Sequence, residues 1–144
     1  MEAEDAAMRE ILTRAETVAV AGLSDKSERD SHQIAQYLQS VGYRVIPVNP
    51  AVPEVLGERA YPDLGSVPTE VRVDIVDVFR RSDQVAPIVE QAIARRAPVV
   101  WMQLGVTNAE ASAKARAAGL VCYEDRCIMV EHKRLKVPSK RRPS

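Results

Sequence analysis

The stretch Val18-Ala19-Val20-Ala21-Gly22-Leu23-Ser24-Asp25-Lys26-Ser27-Glu28-Arg29-Asp30-Ser31-His32 decides the fold. It starts as a short apolar run with two valines, which suits a buried strand. It breaks at Gly22, turns polar, and reaches Asp30 and Ser31, two N-cap candidates for an amphipathic helix. A strand, a glycine turn and a helix start in succession make an anion site. The glycine admits a ligand close to the main chain, and the first N–H groups of a helix have no intrahelical partner.

The chain on either side repeats this strand-then-helix unit. Upstream, Met8, Ile11, Leu12 and Ala15 share one face of a helix over 3–15, which leads into a strand at 17–21. Downstream, Ile34, Leu38 and Val41 mark a helix over 31–41 that stops at Gly42. A second strand, 43–48, loses ladder pairing at Pro47 and turns at Asn49-Pro50. Residues 51–69 carry Pro53, Gly57, Pro62, Gly65 and Pro68, and read as an irregular crossover with a short helix near Leu64. The third strand is 73–79. Ser82 then caps a helix over 83–96, where Val85, Ile88, Val89, Ala92 and Ile93 give the strongest helical repeat, with Pro87 in its first turn. A fourth strand, 98–104, ends at Gly105. Thr107-Asn108-Ala109-Glu110 has capping-box spacing and opens an alanine-rich helix to Ala118, closed by Gly119. A fifth strand spans 120–123, and an apolar piece at 127–130, read as a last strand, precedes a basic end.

Five alternations of strand and helix predict an α/β protein: a single Rossmann-like domain with a five-stranded, mainly parallel sheet and helices on both faces. Such sheets bind ligands at the carboxyl ends of their strands, near the point where strand order reverses.

A chain of 144 residues is about one domain. The domain is expected over residues 1–132, with residues 133–144 as a flexible basic tail. That tail holds Lys133, Arg134, Lys136, Lys140, Arg141 and Arg142 and no acid. It leaves residues 1–132 with fourteen basic against twenty acidic residues, although the whole chain is neutral. An acidic body with a basic end is not the footprint of a dedicated nucleic-acid domain. Two cysteines, Cys122 and Cys127, make no disulfide framework, and no His or Cys pair has zinc spacing. No apolar run reaches the roughly 18 residues of a membrane span, and the acidic start does not resemble a signal peptide. The sequence therefore predicts a cytoplasmic protein with no membrane contact. It names no protein partner and leaves a homodimer open.

The glycine turn lacks the dinucleotide fingerprint: only Gly22 stands where three glycines are needed. The second strand ends in Val48-Asn49-Pro50, without the carboxylate that would take the ribose of NAD. Lys26, Arg29, Arg80 and Arg81 lie near these strand ends and suit a nucleotide richer in phosphate.

Four segments carry a family likeness: Val18–Ser24, Val45–Pro50, Asp77–Arg81 and Trp101–Gly105. In order and spacing they resemble the successive motifs of the small CoA-binding domain proteins, relatives of the N-terminal domain of the succinyl-CoA synthetase α subunit. The resemblance covers about residues 10–134. It implies CoA or an acyl-CoA held across the strand ends. By position, Gly22, Leu23 and Ser24 would line the phosphates, with Lys26 and Arg29 adding charge. Asn49 and Pro50 would lie near the ribose and its phosphate. Val78 and Phe79 would flank the adenine or the pantetheine arm, Gln103 and Gly105 would border the pocket floor, and Arg80 joins them as a cofactor-binding residue. The glycine-rich loop and lysine that the synthetase has after its second strand are absent here.

Catalytic signals are sparse. The synthetase's phosphorylated histidine belongs to a second domain that this chain does not contain. His32 and His132 neighbour no triad. Asp74 and Asp77 fall on opposite faces of one strand. The reading is a non-catalytic binding or sensing module. The alternatives are an enzyme of acyl or thioester chemistry, with Cys127 beside Arg126 as its nucleophile, or an NAD(P)-binding protein.

Overall fold

The apolar runs pair into one parallel sheet in the computed structural model, which describes residues 2–140. The elements are α1 (Ala3–Arg14), β1 (Thr17–Ala21), α2 (Asp30–Ser40), β2 (Arg44–Val48), β3 (Glu54–Val55), β4 (Glu58–Arg59), β5 (Ile75–Val78), α3 (Val85–Ala94), β6 (Val99–Met102), α4 (Ala109–Ala117), β7 (Val121–Tyr123) and α5 (Ile128–Arg134). Short 3₁₀ turns occupy Leu64–Ser66 and Ser82–Gln84. The main sheet runs β2-β1-β5-β6-β7, every neighbouring pair parallel. β1, β5 and β6 are buried along their whole length because helices cover both faces. Val85 and Val89 of α3 and Ala111 and Ala115 of α4 pack on one face. Met8 and Leu12 of α1, Ile34 and Leu38 of α2, and Ile128 of α5 pack on the other.

Pro47 is tolerated because β2 is an edge strand. Its outer side is closed by the crossover: Tyr61 N donates to Pro47 O at 3.0 Å and Asn49 N to Tyr61 O at 2.8 Å. At the opposite edge, Arg116 Nη2 donates to Cys122 O at 2.8 Å. Both edges are thus partly blocked against strand addition.

Several local expectations shift. The crossover contains a small antiparallel hairpin, β3–β4, besides the turn at Leu64. Asn108, not Thr107, caps α4, its side chain accepting from Ala111 N at 3.0 Å. Ser82 does not cap α3; its hydroxyl accepts from Thr107 N at 3.0 Å. The piece at 127–130 is the start of α5 rather than a strand. Nor is the chain frayed from residue 133. Leu135 and Val137 are buried, and Arg134 forks onto Asp5 at 2.8 and 2.9 Å. Arg9 Nε donates to Leu135 O at 3.0 Å and Lys140 N to Val41 O at 2.8 Å. Gly42 (φ +100°) is needed here, since a Cβ would stand 2.6 Å from Lys140. Apolar anchors and spent charges hold residues 133–140 against the body; Arg141 and Arg142 lie outside the described residues.

Candidate functional site at the carboxyl ends of the strands

Strand order reverses between β1 and β5, so the crevice of the fold opens over Gly22 and Phe79. Gly22 has φ +88°, and a Cβ there would stand 2.2 Å from the carbonyl oxygen of Phe79. The missing side chain therefore makes room for the main chain leaving β5. This corrects the expectation that the space admits a ligand. Openings lie on both sides of that seam. The larger is a cavity of about 620 Å³ lined by Gly22, Ser24, Lys26, Glu28, Arg29, Asp30, Ser31 and Phe79. The smaller, about 200 Å³, lies between the crossover and α3, and its walls include Val48, Pro62, Leu64, Arg80, Ile88 and Gln91.

The loop after β1 is largely self-satisfied. Gly22 N donates to Val48 O at 2.8 Å, Ser24 N to Ser31 Oγ at 3.0 Å, and Lys26 N to Ser24 Oγ at 3.0 Å. The vacant donors sit one step further on. Arg29 is the N-cap of α2 and supplies no capping side chain. Ser31 Oγ is turned back to the loop. The N–H groups of Asp30 and Ser31, first in α2, thus have no intrahelical acceptor. Lys26 and Arg29 are exposed beside them. An anion that enters this lobe meets a helix N-terminus and two cations.

The family model of the CoA binding domain matches residues 16–133, most of the chain. This protein belongs to the CoA binding domain family. The uncharacterized protein YneT of Bacillus subtilis is 41% identical over 127 residues, 88% of this chain and 93% of YneT. A hypothetical protein from Pyrococcus horikoshii superposes with a TM-score of 0.88 at 45% identity, over 92% of each chain. An acetyl-coenzyme A synthetase from Ca. Korarchaeum cryptofilum shares the fold, with a TM-score of 0.68 at 24% identity over 78% of this chain and 26% of its own.

Within the CoA-binding fold the predicted residues separate into two groups. Gly22, Ser24, Lys26, Arg29 and Phe79 come together around the larger lobe, and Arg80 lines the smaller. The others support the scaffold or lie outside both lobes. The side chains of Leu23 and Val78 are fully buried in the two cores. Asn49 is a clamp: its Nδ2 donates to Leu23 O at 2.9 Å and its Oδ1 accepts from Ala51 N at 2.8 Å. Gln103 is buried, its Oε1 accepting from Ile128 N at 3.0 Å at the start of α5. Pro50 is exposed on the turn after β2 and lines neither lobe. Gly105, also outside both lobes, donates its N–H to Asp125 Oδ1 at 2.7 Å. Arg81 turns outward to Asp83 at 3.5 Å.

Sequence reading missed the residues that hold the smaller lobe's wall. Arg95 Nη1 donates to Leu64 O and Val67 O, both at 3.0 Å; its Nη2 donates to Pro68 O at 3.1 Å and Val71 O at 3.0 Å. Gln91 Oε1 accepts from Leu64 N at 3.1 Å. No sequence signal marks an arginine whose partners are all main-chain carbonyls. Asp77, read from the sequence only as facing away from Asp74, stands apart. It is fully buried on β5, and neither carboxylate oxygen has a hydrogen-bond partner. Burial pushes its pKa well above the usual carboxylate range. Asp74 has a different task, its Oδ2 accepting from Glu16 N and Thr17 N at 2.9 and 3.0 Å. Cys127 is half-buried at the N-cap of α5 and lines neither lobe. Among the described residues no group of three or more His, Cys, Asp or Glu side chains has metal-binding geometry. No described helix is long and apolar enough to cross a membrane.

Proposed function

We propose that this protein holds CoA or an acyl-CoA across the crevice between β1 and β5, as a binding or sensing module rather than a catalyst. The observation that carries the reading is the larger lobe, where the uncapped start of α2 faces the same space as Lys26 and Arg29. A diphosphate there would take the free N–H groups of α2 as acceptor and the two cations as charge partners. The smaller lobe, with Arg80 at its wall, would receive another part of the same ligand. The membership of the CoA binding domain family supports CoA over other phosphate-rich nucleotides. The placement of Cys127 outside both lobes favours holding the thioester over cleaving it.

Calorimetric titration of the full chain with CoA, dephospho-CoA and NAD tests the reading. CoA is expected to bind more tightly than NAD, and added salt is expected to weaken it. Absence of a CoA signal at about 1 mM, where a complex is worth only about 4 kcal/mol, overturns the proposal.

A further inference from the structure

The C-terminal segment closes over one buried imidazole. His132 of α5 is 2% exposed. Its Nδ1 lies 2.7 Å from the hydroxyl of Tyr37 on α2. The rings of Tyr37 and Tyr43 meet it edge-on, with centroids 5.4 and 5.8 Å away. Its Nε2 is buried and has no hydrogen-bond partner. A neutral imidazole can live with one idle nitrogen. An imidazolium carries an N–H on both and needs an acceptor for each. Here Nδ1 has the Tyr37 hydroxyl, and Nε2 is the nitrogen left idle.

The charges around the ring also oppose protonation. From the C-terminal segment comes Lys140, whose ammonium lies 5.1 Å over the Tyr43 ring and donates to Thr13 O of α1. From α5 itself comes Lys133, 4.9 Å over the Tyr37 ring. The groups facing His132 from α2 and from the start of β2 are the phenols of Tyr37 and Tyr43, the second bonded to Leu12 O of α1. Burial first, and Lys140 second, push the imidazole below the usual histidine range.

The same residue anchors the segment. Val137 N donates to His132 O at 3.1 Å, Lys140 N donates to Val41 O at 2.8 Å just after α2, and Leu135 and Val137 are buried around them. We propose that His132 is a pin whose protonation releases residues 135–140 from α1 and α2. The sign follows from linkage. A histidine with a lowered folded pKa binds its proton more tightly once the site opens. Stability present above about pH 6.5 is therefore lost as pH falls, by about tenfold in the opening equilibrium per pH unit until the folded pKa is reached.

The test is NMR on the full chain between pH 7.5 and 5.0, following the His132 ring together with amide exchange corrected for its intrinsic pH dependence. Protection of the Val137 and Lys140 amides is expected to fall at least tenfold as the pH drops below about 6.5 and to level once the folded ring titrates, while the Phe79 amide bonded to Ala21 keeps its protection. In His132→Phe the pH dependence of the two amides is expected to vanish. Because that variant could fail to fold, the wild-type measurement decides alone. Protection of these two amides that stays constant from pH 7.5 to 5.0 overturns the proposal, whether or not the ring titrates. Loss of protection at Phe79 to the same degree overturns it too, since the whole domain is then unfolding.

Discussion

Replacing Asp77 by valine is expected to make the protein more stable. The carboxyl is fully buried on the central strand β5, and both oxygens lack partners. An unsatisfied buried polar group costs about 1–3 kcal/mol even when neutral. A β-branched apolar residue on a buried strand removes that cost. Any overpacking penalty for the added volume is about 1 kcal/mol at the low end, so the net gain at pH 4 is about 0–2 kcal/mol. The pH adds a second part. Asp77 keeps its proton when folded, because burial raises its pKa well above the usual range, and loses it when unfolded above about pH 4. Unfolding of the wild type thus releases a proton. Its stability falls by up to about 1.4 kcal/mol per pH unit between the unfolded and the folded pKa, then levels. The gain from Asp77→Val must accordingly be larger at pH 7 than at pH 4. Urea unfolding at the two pH values measures it. Trp101 is a convenient fluorescent reporter, being fully buried and directly across from Asp77 on β6. A variant less stable than wild type at pH 7, or a gain that is the same at both pH values, refutes the reasoning.

Gly22→Ala is expected to lose more than about 3 kcal/mol, since it combines a positive φ with a clash against main chain; urea midpoints or loss of soluble protein would register it, and near-neutral behaviour would contradict the geometry. Arg95→Ala removes four donations to carbonyls of residues 64–71 and is expected to cost about 2–3 kcal/mol in urea unfolding. Hydrogen exchange in Arg95→Ala should rise first at Ser66, Val67 and Val71, whose amides bond within that crossover. Asp30→Asn is expected to tighten CoA binding about two- to fivefold in calorimetry, because a carboxylate leaves the anion lobe, and to lower helix stability by about 0.3–1 kcal/mol.

How much of this was legible from the residues differs by level. The strands were, because β1, β5 and β6 are short apolar runs buried on both faces, and that pattern has one reading once helices intervene. Helix starts were less so. Asp30, Ser31, Ser82 and Thr107 all have capping chemistry, yet Asn108 is the residue that caps its helix, while Ser31 and Ser82 accept from distant loops. A short polar side chain serves whichever N–H the tertiary fold brings near, and the local sequence does not encode that. The basic end misled for a related reason. Its charges suggest a solvated tail, but the alternating Leu135 and Val137 are the anchors, and their partners lie more than ninety residues upstream on α1 and α2. In the candidate site, the residues on the exposed loop after β1 were legible. Asn49 and Gln103 were not separable from ligand contacts, and Arg95 carried no signal, since their polar groups meet main chain that only the folded structure brings together.

The position of the proposed anion site within the β1–α2 connection has an energetic consequence. Glycine-turn main chain that bonds to itself is rigid before ligand arrives, so little ordering entropy opposes binding there. The price is that the turn has few donors left to offer. Affinity then rests on the first N–H groups of α2, Lys26 and Arg29, against Glu28 and Asp30 in the same lining. Two cations and two carboxylates leave the lobe without net formal charge. An attraction for phosphate at the proposed site would have to come from the helix start and its N–H groups without intrahelical partners rather than from a long-range field. A site of this kind tolerates an empty state, since Asp30 partly compensates the helix end on its own. A bound phosphate takes over that compensation and adds hydrogen bonds the carboxylate does not make. On the proposed reading the acid in the first turn would lower affinity while it supports the free fold, a balance that suits a module proposed both to hold and to release its ligand.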